Sequence, residues 1–491
     1  MNITIAKNGQ KTAQINGFFL HSSYNPQAEA KRFVENITLP FNCKYILITE
    51  PALSYTADFL KEKFPEKKIF CIRYTDDFNE YNKNFDDVIN FYEHENNFND
   101  FLLDKFGEEN IFKIFFLKWE PSAKAFYEID EKVWTNIKKT LEFAKTLLIT
   151  RQFFEKKWLL NSVNFINYTK KICTLNKINK PILIIASGPS LKPLLNFLPK
   201  IKDNFFIICL SSAISVLKKY KIEPNLYLST DGGYWAGQHL KKISTKNDIP
   251  IALSLESFCQ KNILEKSKIL VLNYEDGISS DLINYFKIKN VKATRNGTVS
   301  GTALNLALDF SNEEIYFAGL DLEENKNFSH AQPNEIEKNN CLSENRIFSQ
   351  EKRIYKSKQN NASLEIYQKW FSKINNKKIF RIINPEDKMN SLGNIKDISV
   401  LEFIQNIKIN QTTQNFFNDF IFEKIDKNKL KDFILKKLNE QTTLEQIFPL
   451  DFISISHSPD DKILQEKLEE KKQNLISKIL SLCNDFSGEK I

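Results

Sequence analysis

The sequence predicts an α/β protein centred on a doubly wound, Rossmann-like parallel sheet, and three observations predict it. Short apolar runs at 182–186, 205–210 and 226–230 alternate with stretches of helical spacing. These runs are unbroken, as in strands covered on both faces, not alternating as in a half-exposed sheet. The first run ends in Ser187-Gly188-Pro189-Ser190, the punctuation of a tight turn from strand to helix.

In chain order, Asn25 before Pro26 marks a helix start, and Tyr45–Thr49 reads as a buried strand. A helical stretch at 56–63 and a strand at 68–74 complete a first βαβ unit, with a further strand at 111–117. Its turn, Glu50-Pro-Ala-Leu-Ser-Tyr55, has no glycine, and Arg73 and Tyr74 stand where an acid would grip a ribose. Residues 1–130 are therefore expected to be a degenerate Rossmann-like domain with a structural or partner-binding role. Helical spacing over 131–178 suggests a connector. Strands at 251–255, 269–273 and 315–318 extend the central domain, expected at 179–400. Residues 331–363 are polar and without period, as in an active-site lid or a disordered loop. Helical spacing returns over 401–491, expected to be an α-helical C-terminal domain.

At 491 residues the chain is long enough for two or three domains. Its net charge of +8 comes from lysines mixed with acids, so no nucleic-acid partner is expected. No apolar run reaches the ~18 residues of a membrane span, and the opening residues lack a signal peptide's layout. The seven cysteines include no C-x-x-C pair, which fits a reducing compartment, and a cytoplasmic protein is expected.

In a doubly wound sheet, ligands lie beyond the C-terminal strand ends. Gly188 and Pro189 suit a helix N-terminus there, with Ser187 as its cap. Ser190, Ser211, Ser212, Thr298, Ser300 and Gly301 supply hydroxyls and N–H groups around the same edge. Two turns facing each other, at Gly188 and Ser300, would make a pocket receptive to phosphate. Asp231 and Asp321 end strands, where they could meet a sugar hydroxyl or a metal or simply cap structure. His330, just past Asp321, is the candidate general base, with His239 as rival. The absence of G-x-G-x-x-G and of G-K-[ST] argues against a dehydrogenase and a P-loop kinase.

The stretches Ile184-Ile-Ala-Ser-Gly-Pro-Ser-Leu191, Ser229-Thr-Asp-Gly-Gly233, Gly297-Thr-Val-Ser-Gly-Thr-Ala303 and Ile315-Tyr-Phe-Ala-Gly-Leu-Asp-Leu322 with Ser329-His330 resemble the central domain of motility-associated-factor (Maf) glycosyltransferases. Leu20-His-Ser-Ser-Tyr-Asn-Pro26 resembles that family's N-terminal part. The resemblance implies a sialyltransferase-like variant of the GT-A glycosyltransferase fold. It also implies transfer of pseudaminic or legionaminic acid from a CMP-activated donor onto flagellin Ser or Thr, without cofactor or metal. It places Ser187, Gly188, Pro189, Ser190, Ser211, Ser212, Asp231, Thr298, Ser300, Gly301 and Asp321 around the nucleotide sugar, with His330 as base. Related sialyltransferases hold the leaving phosphate with two tyrosines; residues 322–329 contain none, and Tyr355 is the substitute considered. The same region resembles hydroxymethylpterin diphosphokinase-like proteins, so an ATP-dependent enzyme is one alternative. A non-catalytic flagellin-binding protein is the other.

Overall fold

The computed structural model describes residues 2–244, 248–322, 329–352, 362–386, 389–407 and 414–484. Two compact units emerge. The first holds the chain up to Phe153 together with Leu444–Gln473; the second holds Phe154–Thr443 and the described residues from Asn474 onward.

The first unit opens with an antiparallel ribbon of β1 (Asn2–Ile5), β2 (Lys11–Ile15) and β3 (Phe18–Phe19). A parallel sheet follows, built from β4 (Tyr45–Thr49), β5 (Lys68–Arg73), β6 (Asp87–Asn90) and β7 (Ile114–Lys118) in the order β6-β5-β4-β7. Ile46, Leu47 and Ile48 are fully buried, because helices cover both faces of the central strand. The order of winding reverses between β4 and β7. On the other side of β4, toward β5, a polar network fills the turn. Glu50 and Arg73 form a fully buried ion pair at 2.8 Å. Arg73 also donates to the Ala52 carbonyl and the Ser54 hydroxyl, and Glu50 accepts the Tyr74 N–H at 2.7 Å. That network holds Glu50, Ala52 and Ser54 in left-handed conformations, with φ of 36°, 46° and 63°. These contacts occupy the turn whose sequence has no glycine.

The second unit is a sheet counted as eleven strands over the described residues. It contains β8 (Lys171–Leu175), β9 (Ile182–Ile185), β10 (Phe206–Leu210), β11 (Leu226–Ser229), β12 (Ile251–Ser254) and β13 (Lys268–Asn273). It continues with β14 (Val291–Lys292), β15 (Ile315–Ala318), β16 (Ile379–Ile383), β17 (Lys396–Ser399) and β18 (Phe417–Ile421). The order is β17-β16-β15-β9-β10-β11-β12-β13-β8-β18, with β14 beside β13; every pairing is parallel except β18 on β8. Ile184 lies opposite Ile208 on one side and Phe317 on the other, so the apolar run at 182–185 is the middle of the core. From β9 the chain winds one way to β13, then crosses back to β15 and winds the other way. The switch falls between β9 and β15.

Three expectations change. The 131–178 stretch is a helix, Tyr127–Tyr168, followed by strand β8. Residues 401–491 are mainly helical, as expected, but they are shared between the two units and include β18, whose residues pair with β8. Part of the polar stretch at 331–363 is a helix, Glu335–Ser343, capped by the Asn334 side chain, while Tyr355 lies outside the described residues.

His21, in the first unit, accepts the Leu53 N–H on Nε2, and its pKa is pushed from 6.5 to about 3 by burial and by the charge of Arg73. Between those values the unfolded chain binds a proton that the folded one refuses, so stability falls as pH drops. Denaturant unfolding followed by tryptophan fluorescence at pH 7, 6, 5 and 4 should show wild type losing about 1.4 kcal/mol per unit below about pH 6 relative to His21→Gln. Parallel lines for the two proteins would show that His21 does not carry this dependence.

Candidate functional site

Three segments meet at the C-terminal edge of the second unit's sheet. The first is the turn after β9. Gly188 N–H donates to the Gly319 carbonyl at 2.8 Å, so the β9 and β15 loops run against each other. A methyl group on Gly188 would lie 2.5 Å from Asp321 Cγ, and one on Gly319 would lie 2.5 Å from the Ala186 carbonyl oxygen. Gly319 also has φ of +75°. Into this contact Asp321, only 4% exposed, brings its carboxylate. Oδ2 accepts the Ser190 N–H at 3.0 Å and Oδ1 accepts the Ser190 hydroxyl.

This arrangement corrects the expected phosphate turn. The N–H of Ser190 that was to face an anion is already bound to one, the chain's own Asp321. Nor is there a long helix behind it. Pro189–Leu191 is one 3-10 turn, and Lys192–Leu195 and Leu198–Ile201 are separate single turns begun anew at Pro193 and Pro199. The leucines at 191, 194, 195 and 198 are buried as their spacing predicted. Gly188, Ser190 and Asp321 therefore form a structural clasp, with Pro189 in its turn, that engages both oxygens of Asp321. The connections that carry the Gly188 and Ser300 turns run in opposite directions along the sheet, β9 to β10 and β14 to β15.

The second segment, residues 329–337, crosses the strand tops. Ala331 N–H donates to the Ser187 carbonyl at 2.6 Å, and Asn334 Nδ2 donates to the Ser212 carbonyl at 3.0 Å. Ser215 Oγ donates to Glu335 Oε1 at 2.5 Å, and His239 Nδ1 lies 2.7 Å from Glu335 Oε2. Burial raises the Glu335 pKa, but the His239 and Ser215 hydrogen bonds outweigh it and hold the carboxyl below its usual range. His239 is 3% exposed and so bound, which removes it as the rival base. His330 keeps a quarter of its side chain open, with Nδ1 3.4 Å from the buried Glu337 Oε1. The segment that carries His330 is thus tied to the carbonyls of Ser187 and Ser212, while Ser211 is buried.

The third segment is the start of the helix Val299–Phe310, which packs Ala303, Leu304 and Ala307 on Ile184, Ile208 and Leu228. With twelve residues it has a full N-terminal dipole. Asn296 Oδ1 accepts the Thr298 N–H at 3.2 Å and its side chain fills the space a Gly301 side chain would need. Asp231 stays exposed, its Oδ1 accepting the Gly233 N–H at 2.8 Å. Two tyrosines that sequence reasoning missed stand here. Tyr274 has its pKa raised chiefly by burial, with the Thr302 and Thr230 side chains nearby acting the other way. Tyr367 lies against Gly297, and burial together with the Asp231 charge raises its pKa. Gln368, beside it, donates to the Leu322 carbonyl at 3.0 Å, so the helix Ala362–Ser372 reaches toward the Asp321 clasp. Glu337 was legible in principle: Asn334-Glu335-Ile336-Glu337 is an N-cap followed three residues later by Glu.

The sheet is doubly wound, and the histidine and the helix N-terminus lie at the edge where ligands bind in sheets of this kind. Residues 156–327 match the family model described as MptE-like, 6-hydroxymethylpterin diphosphokinase MptE-like. The structure of a Maf glycosyltransferase from Magnetospirillum magneticum AMB-1 has a similar fold, with TM-score 0.52 at 10% identity, covering 98% of this chain and 90% of that one. A protein of Treponema pallidum (strain Nichols), described as uncharacterized, is 27% identical over 327 residues, 64% of this chain and 70% of its own. The likenesses read from the motifs, to the Maf family and to the diphosphokinase-like proteins, are both met by these comparisons.

The clasp makes a quantitative prediction. Gly188→Ala should cost about 2–3 kcal/mol of the second unit's stability through overpacking. Asp321→Ala should cost about 1–3 kcal/mol by leaving the Ser190 N–H and hydroxyl without an acceptor, and Asp321→Asn less than Asp321→Ala. Urea midpoints measure all three; an Asp321→Ala protein as stable as wild type would show that the carboxylate does not hold the turn.

Proposed function

We propose that this protein is a glycosyltransferase, that it moves a nonulosonic acid of the pseudaminic or legionaminic type from CMP onto Ser or Thr of flagellin, and that flagellar assembly and motility draw on this activity. The reading rests on one observation above the others. His330 is held over the strand tops by residues 329–337 with part of its ring open, where a base must stand to reach an acceptor. The similarity in fold to a Maf glycosyltransferase supports the same reading.

In the reaction His330 takes the proton of the acceptor hydroxyl, whose oxygen attacks the anomeric carbon from the face opposite CMP. The bond from that carbon to the phosphate oxygen breaks, and its electron pair stays on CMP. The N–H groups at Ser300 and Gly301, at the start of the Val299–Phe310 helix, hold the departing charge, with the Thr298 side chain beside them. Asp231 and Tyr367, beside that helix start, are assigned to the donor. This scheme calls for no metal or cofactor, since fixed dipoles carry the charge. It assigns catalysis to residues 179–400, and cytoplasmic flagellin as the acceptor.

A second reading, ATP-dependent diphosphoryl transfer to a pterin, is favoured by the MptE-like match. The test incubates the protein with flagellin and each CMP-nonulosonate, with and without EDTA, and weighs the intact flagellin. The expected result is a gain of one or more sugar residues in both tubes, falling about 100-fold or more in His330→Ala. No gain with either donor would count against the transferase, and diphosphorylation of a pterin by ATP and Mg²⁺ would establish the second reading. Flagellin bound but unmodified would point to a non-catalytic partner.

A further inference from the structure

We propose that Glu337 is the positioning residue of His330, fixing its tautomer and direction; this assignment rests on the transferase reading above. One carboxylate oxygen makes the arrangement. Glu337 Oε1 accepts the N–H of Ser329 at 2.9 Å and of His330 at 3.1 Å, and faces His330 Nδ1 at 3.4 Å. The same group thus fixes both the backbone that carries the imidazole and the ring itself.

Glu337 is 1% exposed. A carboxylate buried that deeply is costly unless it is hydrogen-bonded, and at Oε1 the N–H groups of Ser329 and His330 meet that need. Its own N–H and that of Ile336 are capped by Asn334 Oδ1, at 3.4 and 2.9 Å. It therefore stands in the first turn of a nine-residue helix, where the dipole favours negative charge. Asn334 is in turn tied to the Ser212 carbonyl, so the carboxylate is fixed to the top of β10 and not to a loose loop.

The same turn contains its own contrast. Glu335 holds His239, but that side chain is 4% exposed and its pair is structural. His330 is 26% exposed. With Nδ1–H directed at Glu337, the neutral ring presents the Nε2 lone pair on its opposite edge. The acceptor's proton ends on Nε2 as its oxygen bonds to the anomeric carbon and the phosphate leaves with the electron pair. The imidazolium so formed faces the Glu337 charge, which stabilises it more than the neutral ring. That difference is what lowers a barrier.

Nitrogen-15 spectra of the protein labelled at its five histidines, with His330→Gln to identify the signal, read the tautomer directly. The Nδ1–H form of His330 is expected in wild type and its loss in Glu337→Leu, which has no acceptor; Glu337→Gln keeps the oxygen that faces Nδ1 and removes only the charge. That variant should retain the donor KM within about two-fold while kcat falls by roughly 10- to 100-fold, a part of what a general base is worth. An Nε2–H tautomer in wild type, or an unchanged kcat in folded Glu337→Gln, overturns the assignment. A wild type that transfers no sugar overturns the transferase reading itself, an outcome to which the tautomer spectrum is blind, so the two failures are told apart.

Discussion

The second unit is organised by the contact of Asp321 with Ser190. It joins two strands that are neighbours in space but lie 131 residues apart in the chain. The contact requires two backbones to touch, which is why Gly188 and Gly319 stand on its two sides. It also fixes where the chain leaves β15. From Asp321 onward the only described route is residues 329–337, whose hydrogen bonds to Ser187 and Ser212 lay them across the neighbouring strand tops. The candidate base owes its position to that path.

The first unit solves the same problem with different groups. The turn after β4 is filled by Glu50, which accepts backbone N–H groups and is neutralised by Arg73. Asp321 is held by one N–H and one hydroxyl of the opposing turn. In both units a carboxylate of the chain takes the position that a bound anion has in nucleotide-binding relatives of such folds. A strand–turn–helix of this kind is thus a site for negative charge, and the chain itself can supply it. The next dipole at this edge is the start of the Val299–Phe310 helix, near Asp231, Tyr274 and Tyr367.

The helix beginning at Glu335 links these parts. Its cap and first turn carry Asn334, Glu335 and Glu337, which contact the Ser212 carbonyl, Ser215 with His239, and His330. Three polar residues in four positions thereby tie the connection after β15 to β10 and to the helices after β10 and β11. Burial sharpens the effect, because polar groups of this kind are costly to leave unpaired and so favour one arrangement over others.

Local chemistry written in the sequence was enough for the strands, the parallel sheet and its active edge. Unbroken runs such as Ile182–Ala186 can be stable only with both faces covered, and covered parallel strands demand helical crossovers. The general position of His330, one loop past a strand end, followed from the same logic. What lay beyond it were facts of distance. No pattern within Ser187–Ser190 states that a carboxylate over a hundred residues later fills the turn, or that Pro193 and Pro199 break the expected helix into single turns. Tyr274, Tyr367 and Glu337 likewise look ordinary in the chain, since the side chains they meet are brought to them by crossovers. Periodicity determines which face of an element is buried; only the packed sheet decides which polar groups find each other there, because hydrogen bonds act over about 3 Å and the sequence has no record of that proximity.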